Sequence, residues 1–209
     1  MITRDGLVAE YLFNSNADDT SGSGFHGLVS GATPGPDRFG TPNSAFMFDG
    51  KDDYIIVSPP PLLTNVALTV SVWARCGAPK QRGWHDSIIC QDNGDDEDHS
   101  RRIFQLSMLW DRIVWHRMVE APDPFTIDPV TPGAWYHFAA VFGDGLHKLY
   151  VNGALNSSVR HRLGIHSEEP LYIGRKGTDE QRFYFDGAID DIRIYNRALS
   201  EEEIQSLLV

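Results

Sequence analysis

The sequence predicts an all-β fold: a two-sheet antiparallel β-sandwich of the jelly-roll type with one short helix at its C-terminal end. Three observations lead to this prediction. Apolar and polar residues alternate with a period of two in many short runs, which is typical of half-buried strands. Turn dipeptides separate these runs, and only one segment has helical character. Such a pattern excludes an alternating α/β fold and leaves a sandwich whose two sheets pack face to face.

The predicted strands follow the alternating runs in chain order. They are Leu7–Phe13, Tyr54–Val57, Leu68–Arg75, Ile103–Met108, Trp135–Phe142, Leu146–Val151 and Phe183–Tyr195. The dipeptides Asp144-Gly145 and Asn152-Gly153 tolerate positive φ and favour tight turns, so residues 135–159 predict a three-strand meander. Pro59–Pro61 and Ala121–Pro132 predict loops, because proline cannot donate to a central ladder.

The helix is predicted over Ser200–Leu208. Ser200 followed by Glu203 forms a capping-box pattern, and three glutamates favour the positive start of a helix. The whole chain, residues 1–209, fits one domain, since sandwiches of this length are common. Cys76 and Cys90 lie at the ends of two predicted neighbouring strands, and the pattern leaves a disulfide and two free buried thiols equally open.

The charge balance excludes some partners. The 18 basic and 29 acidic residues give a net charge of −11, which repels nucleic acid and anionic membrane surfaces. No run of apolar residues is long enough to insert into a membrane. Met1–Gly6 lacks the features of a secretory signal, so we expect that a leader is absent or was removed.

Four segments, in this order, resemble the laminin G-like jelly-roll family of the concanavalin A-like lectin/glucanase superfamily. They are Leu7–Asn14 with Asp19–Gly27, Phe48–Gly50 with Asp52–Ile55, Trp135–Ala139 with Leu149–Gly153, and Phe185–Ser200. The resemblance implies the jelly-roll fold over nearly the whole chain. It also implies an extracellular or cell-surface location. The chain is then expected to be part of a larger protein or a monomer. Function follows less directly, because one fold hosts many activities.

The Asp19–Gly27 loop is a candidate calcium site. Calcium takes six to eight oxygens, and a Gly-rich loop can supply carbonyls. In related laminarinase-like glucanases, an Asp of the terminal strand binds structural calcium, and Asp190 matches that position. The expected ligands are the side chains of Asp19 and Asp190, with main-chain oxygens from about Ser21 and His26. The alternative is that Asp19 caps its own turn while Asp190 pairs with Arg193 or Arg197.

A second acidic run, Asp92–Asp98, lacks the spacing of an EF-hand loop. We therefore interpret it as a solvated hairpin loop, with a cation site at the rim of the binding face as the alternative.

Exposed aromatic rings with polar neighbours are typical of sugar-binding sandwiches. The candidate ligand contacts are Trp84, His85, Trp110, Arg112 and Trp115, which lie in a loop and a hairpin of mid-chain. Core packing is the alternative for Trp110 and Trp115. Two further tryptophans, Trp73 and Trp135, are predicted to lie in the core because they belong to alternating strands.

The leading hypothesis is a non-catalytic module that binds a carbohydrate or glycoprotein ligand. Catalytic members of the superfamily carry a Glu-x-Asp-x-Glu strand, and this sequence has none. The histidines are scattered without the spacing of a zinc site. The alternatives are a structural spacer domain, or a polysaccharide-active enzyme: a diverged glycosidase, or a lyase that uses residues such as Arg160, His161, Arg175 and Tyr184.

Overall fold

The predicted all-β sandwich is confirmed. A computed structural model of the chain describes residues 2–63, 67–79, 84–92, 102–116, 123–160, 169–177 and 183–209. These residues form two antiparallel sheets and one short C-terminal helix. No helix among them is long and apolar enough to cross a membrane.

The strands are short, as the alternating runs predict. They are β1 (Leu7–Tyr11), β2 (Gly27–Ser30), β3 (Thr33–Gly35), β4 (Ala45–Asp49), β5 (Tyr54–Val57), β6 (Leu68–Cys76), β7 (Trp84–Asp92), β8 (Arg102–Leu109), β9 (Arg112–His116), β10 (Trp135–Gly143), β11 (Leu146–Val151), β12 (Ala154–Arg160), β13 (Leu171–Ile173) and β14 (Asp186–Tyr195). Helix α1 spans Glu201–Gln205, and a turn of 3-10 helix, Ser206–Leu208, follows it.

The strands divide into two sheets. The eight-stranded sheet has the order β12-β11-β10-β6-β14-β4-β3, with β1 paired to β14. The six-stranded sheet has the order β2-β5-β13-β7-β8-β9. Inward-facing side chains of both sheets form one large apolar core, which includes Val72 and Phe138 from the first sheet and Ile89 and Leu106 from the second.

A second, smaller apolar cluster lies on the outer face of the eight-stranded sheet. It joins strand residues such as Val141 and Tyr195 to Ile204 and Leu207 of the C-terminal helical segment. The helix therefore covers part of this outer face. Its N-terminal capping box is confirmed: the Ser200 hydroxyl accepts the N–H of Glu203.

Strand β14 has two partners along one edge. Residues 186–189 pair with β4 and residues 192–195 pair with β1, while β6 follows the other edge. Asp190 and Asp191 lie between the two partners, where the register with β6 shifts, and Asp191 has a φ of 46°. The sandwich thus has a local break in the ladder at two acidic residues.

The predicted meander is confirmed as β10, β11 and β12. Its two turns contain residues of positive φ at the predicted dipeptides, Asp144-Gly145 and Asn152-Gly153. The prediction that Cys76 and Cys90 lie on neighbouring strands is wrong, because β6 and β7 belong to different sheets. Both cysteines are free and buried, and burial raises the pKa of each thiol to about 12.

Candidate functional site

The Asp19 carboxylate is engaged by its own loop. Its Oδ1 accepts the N–H groups of Glu10 (3.0 Å) and Ser21 (2.8 Å), and its Oδ2 accepts the Ser21 hydroxyl (2.9 Å) and the Phe25 N–H (3.0 Å). Burial alone would raise the pKa of Asp19, but these hydrogen bonds outweigh it and lower the pKa below its ordinary value. These contacts are the turn cap that the sequence offered as the alternative to calcium.

A guanidinium occupies the carbonyl side of the same loop. Arg4 Nη2 donates to the Ser21 carbonyl oxygen (3.1 Å), and Arg4 Nη1 donates to Glu10 Oε2 (3.3 Å). The His26 Nδ1 accepts the N–H of Asp19 (3.2 Å). Because the Asp19 carboxylate and the Ser21 carbonyl oxygen already have N–H or cationic partners, these two expected ligands do not fit a calcium ion in this arrangement. The calcium site stays a prediction from the sequence.

Asp190 lies in the break of β14 and pairs with Arg38. Arg38 Nη1 donates to Asp190 Oδ2 (2.8 Å) and to Asp191 Oδ2 (2.9 Å). The alternative partners expected from the sequence, Arg193 and Arg197, pair with other carboxylates. The sequence could not identify Arg38, because 152 residues separate it from Asp190.

A polar pocket of about 270 Å³ opens at this pair. Its lining residues are Leu12, Asn14, Asp37, Arg38, Phe39, Thr41, Ser44, Asp190, Asp191 and Val209. Burial is the main cause that raises the pKa of Asp190 to about 7; the charge of Asp191 adds to the increase, and Arg38 opposes it. The pocket therefore contains a carboxyl group that titrates near neutral pH.

Trp73 is not a core residue, contrary to the sequence prediction. It is half-buried on the outer face of the eight-stranded sheet, where its ring lies 5.4 Å from that of His137 and 4.6 Å below the Arg38 guanidinium. His137 Nε2 lies 2.8 Å from the Ser71 hydroxyl. Burial, with help from Arg193 and Arg38, lowers the pKa of His137 to about 3, so this imidazole is neutral at physiological pH.

The aromatic candidates of mid-chain have different placements. Trp115 is fully buried and packs against Phe104 in the core, which corresponds to the core-packing alternative. Trp110 is 65% exposed in the turn between β8 and β9. Arg112 donates to the carbonyl oxygens of Thr126 and Ile127. Of the rings of Trp110 and Trp115, only that of Trp110 is exposed.

Two further candidates, Trp84 and His85, start strand β7. Their backbones pair with Leu109 and Met108 of β8, and their side chains lie outside the described residues. Most of the second acidic run and of the loop around His161 also lies outside the described residues.

A row of side chains crosses the outer face of the six-stranded sheet. Directly opposed residues share one face of a sheet, so the registers define the row. In strand order its members are Leu28, Ile56, Tyr172, Cys90, Gln105 and His116. The row is apolar at β2 and β5 and polar at β8 and β9, where the His116 Nδ1 is bound to the carboxylate of Asp123.

An arginine lies among three tyrosines beside this row. The Arg175 guanidinium carbon is 4.6 Å from the ring centroid of Tyr54, 4.7 Å from that of Tyr172 and 5.9 Å from that of Tyr184. All four side chains are half-buried. We call these residues the tyrosine–arginine cluster.

Gly174 positions Arg175 over the cluster. It follows β13 directly with a φ of 84°, and a Cβ there would lie 2.4 Å from the Phe48 ring. Its N–H donates to the Ile88 carbonyl (2.9 Å), and its own carbonyl accepts the N–H of Phe185 (2.9 Å). The left-handed turn and the close approach both require glycine.

The cluster and the mid-chain candidates lie at the same end of the six-stranded sheet. Strands β13 and β8 are both antiparallel to β7, so they are parallel to each other. From Tyr172 to Arg175, and likewise from Gln105 to Trp110, the chain runs toward the end of the sheet at which Trp84 starts β7. Two strand spacings, about 10 Å, separate β13 from β8. The cluster is half-buried and Trp110 is exposed, whereas Cys90 and Gln105 of the row are 0% and 3% exposed.

Sequence reasoning found only part of this cluster. Arg175 and Tyr184 were considered for lyase chemistry, whereas Tyr54 and Tyr172 were missed. A usable signal was present: Tyr172 stands between Leu171 and Ile173, so alternation places it on the face opposite the core.

Comparisons with known proteins define the class to which this sandwich belongs. Residues 49–205 match a laminin G family described as the concanavalin A-like lectin/glucanases superfamily. The chain therefore belongs to this family. Among curated protein sequences, none matches the chain.

Solved structures with the same fold share little sequence with it. Domain 4 of an extracellular arabinanase from Geobacillus stearothermophilus, in complex with arabinotriose, is 20% identical with a TM-score of 0.74, over 97% of this chain and 98% of that one. The ligand-binding domain of botulinum neurotoxin serotype D, in complex with N-acetylneuraminic acid, is 17% identical with a TM-score of 0.74. The match covers 98% of this chain and 51% of that one.

Trypanosoma rangeli sialidase is 17% identical with a TM-score of 0.71, over 97% of this chain and 32% of that one. At these identities the likeness concerns the fold alone. This chain spans about half of the neurotoxin domain and a third of the sialidase.

Proposed function

We propose that the chain is a non-catalytic carbohydrate-binding module whose ligand binds to the outer face of the six-stranded sheet. The tyrosine–arginine cluster is the observation that carries the proposal. Half-buried rings give flat apolar surface for a sugar ring, while hydroxyl and guanidinium groups can bond to its hydroxyls. Trp110, 65% exposed in the turn between β8 and β9, gives a second exposed ring at this end of the sheet.

The comparisons support the proposal at the level of the fold. The arabinanase domain and the neurotoxin domain were both solved with saccharide ligands, and the arabinanase is extracellular. These are properties of those proteins, and we extend saccharide binding and an extracellular location to this chain by inference. A module of this kind fits a chain in which no spaced row of catalytic acids occurs.

Binding to immobilised polysaccharides and oligosaccharides tests the proposal. Affinity should fall at least about tenfold in Tyr172→Ala, because the variant removes a central ring of the cluster. Trp110→Ala should weaken binding to longer oligosaccharides more than to short ones, since Trp110 lies two strands from β13 and beyond the end of β8.

Phe39→Ala is the matched control. Phe39 is 72% exposed, but it lies at the polar pocket of the eight-stranded sheet, so its removal should leave glycan affinity unchanged. Equal losses in Tyr172→Ala and Phe39→Ala would contradict the assigned face. Release of reducing ends or unsaturated products from the bound glycan would show that the domain is an enzyme and would contradict the proposed non-catalytic role.

A further inference from the structure

We propose that the ligand of this face carries a carboxylate, and that Arg175 binds it. The inference rests on the proposed function and names the ligand class: glycans with acidic sugars, such as uronic acid or sialic acid residues.

Arg175 keeps most of its hydrogen-bonding capacity. Its Nε donates to the Lys176 carbonyl oxygen at 3.0 Å. A guanidinium has five N–H donors, and the other four of Arg175 have no acceptor among the described residues. The side chain is only half-buried. Its terminal nitrogens, which have no partner among the described residues, are accessible to solvent. These donors are available to a ligand.

Two other arginines of the sheet faces are neutralised by carboxylates. Arg193 binds Glu10 at 2.9 Å, and Arg38 binds Asp190 at 2.8 Å. Within the described part of the chain, Arg175 has no carboxylate within ion-pair distance. In a chain of net charge −11, a half-buried guanidinium without a carboxylate partner is available to an external anion.

The tyrosine rings fix the orientation of this guanidinium. Tyr54 and Tyr172 lie at 4.6 and 4.7 Å from its central carbon, and their own centroids are 6.4 Å apart. Contact with rings uses the flat faces of a guanidinium and leaves its in-plane N–H edge for an anion. Arg175 is therefore ordered before a ligand arrives, which lowers the entropic cost of binding.

The neighbouring cation does not compete for the same anion. The Lys176 ammonium lies 3.9 Å from the buried carboxylate of Asp92 and 5.0 Å from the Phe183 ring, and only 8% of its side chain is exposed. Among the described residues, Arg175 is therefore the accessible positive charge at the cluster. Two parallel N–H groups of a guanidinium match the two oxygens of one carboxylate.

Matched pairs of acidic and neutral saccharides test the inference by calorimetry. One pair is oligogalacturonate and its methyl ester; the other is sialyllactose and lactose. In at least one pair the acidic member should bind about tenfold or more tightly, as expected for a charge-assisted bidentate contact. Arg175→Gln should abolish this preference, and Arg175→Lys should keep only part of it, because lysine retains the charge without the fork.

Arg160→Gln is the charge-matched control, since Arg160 is exposed on β12 of the other sheet. It should leave the preference unchanged. A test on the unaltered protein does not depend on the folding of any variant: raising the salt concentration should weaken binding of the acidic member and leave that of the neutral member unchanged.

The outcomes separate the inference from the proposed function. Equal affinity for both members of each pair, unaffected by salt, would overturn the carboxylate and leave carbohydrate binding intact. Tighter binding of a sulfated glycan than of its carboxylated counterpart would assign Arg175 to sulfate and would also overturn the inference. Failure to bind any saccharide would refute the proposed function itself.

Discussion

At the scale of single residues, one buried charged group lies at the place where a strand changes its partner. Asp190 is 2% exposed, and it lies where β14 passes from β4 to β1. Burial raises the pKa of Asp190 although Arg38 is only 2.8 Å away, because the neighbouring Asp191 shares the same guanidinium nitrogen. One cation between two carboxylates leaves the buried one easy to protonate.

The raised pKa of Asp190 predicts a pH dependence of stability. Between about pH 4, where the unfolded group titrates, and about pH 7, the folded protein binds more protons than the unfolded chain. The contribution of Asp190 is therefore fully present at low pH and is lost as pH rises through 7. Denaturant unfolding at several pH values should show this fall, on the order of several kcal/mol. Asp190→Asn should flatten it; an equal slope in both proteins would refute the assignment.

The lowered pKa of Asp19 predicts the opposite trend. Its carboxylate contributes stability above about pH 4, and this contribution is lost as the pH falls through the lowered folded value. Asp19→Asn should cost about 1–3 kcal/mol of unfolding free energy at pH 7, because several loop N–H groups lose a charged acceptor. The difference from the unaltered protein should shrink in acid. A difference that is constant with pH would contradict the role of the charge.

At the scale of elements, local signals predicted the meander and the helix cap, whose partners are close in sequence. The meander of β10 to β12 and the Ser200 capping box follow from turn and cap residues alone. The partners of β14 could not be found in this way. These partners are β1, β4 and β6. No local sequence signal indicates that β1 and β4 pair with the same edge of β14.

The capping box gives a prediction for helix α1. Ser200→Ala should lower the unfolding free energy by about 1 kcal/mol, because the N–H of Glu203 loses its acceptor. Ser23→Ala, at an exposed loop position, is the control and should have no measurable effect. Thermal and denaturant melts would report both values. A loss in the control as large as in Ser200→Ala would argue against the cap.

At the scale of the whole molecule, the fold could be predicted and the binding face only in part. The alternation of apolar and polar residues and the four ordered family segments predict the sandwich, because the alternation indicates which face of each strand is buried. The cluster of Tyr54, Tyr172, Tyr184 and Arg175 joins three separate stretches of chain across the six-stranded sheet. Such a meeting depends on strand order, which alternation alone does not specify.

Calcium binding would change the stability of the whole folded molecule. A cation that binds only the folded state raises the melting temperature. Because Arg4 and the loop N–H groups already occupy the expected ligands, we expect equal melting temperatures in excess calcium and in chelator. A rise in calcium that Asp19→Asn abolishes would establish the calcium site instead.

The pairing of β1 with β14 also determines how the domain would respond to force. Leu7 opposes Tyr195, and Arg197 lies 3.1 Å from the Asp5 carboxylate, so the first and last strands are joined at adjacent ends. Tension applied through these two ends would load their hydrogen bonds one after another rather than all together. The outer strand would peel away at low force, while the tyrosine–arginine cluster on the opposite sheet would stay folded. Held at both ends, the domain would therefore lengthen at β1 before the opposite sheet is loaded.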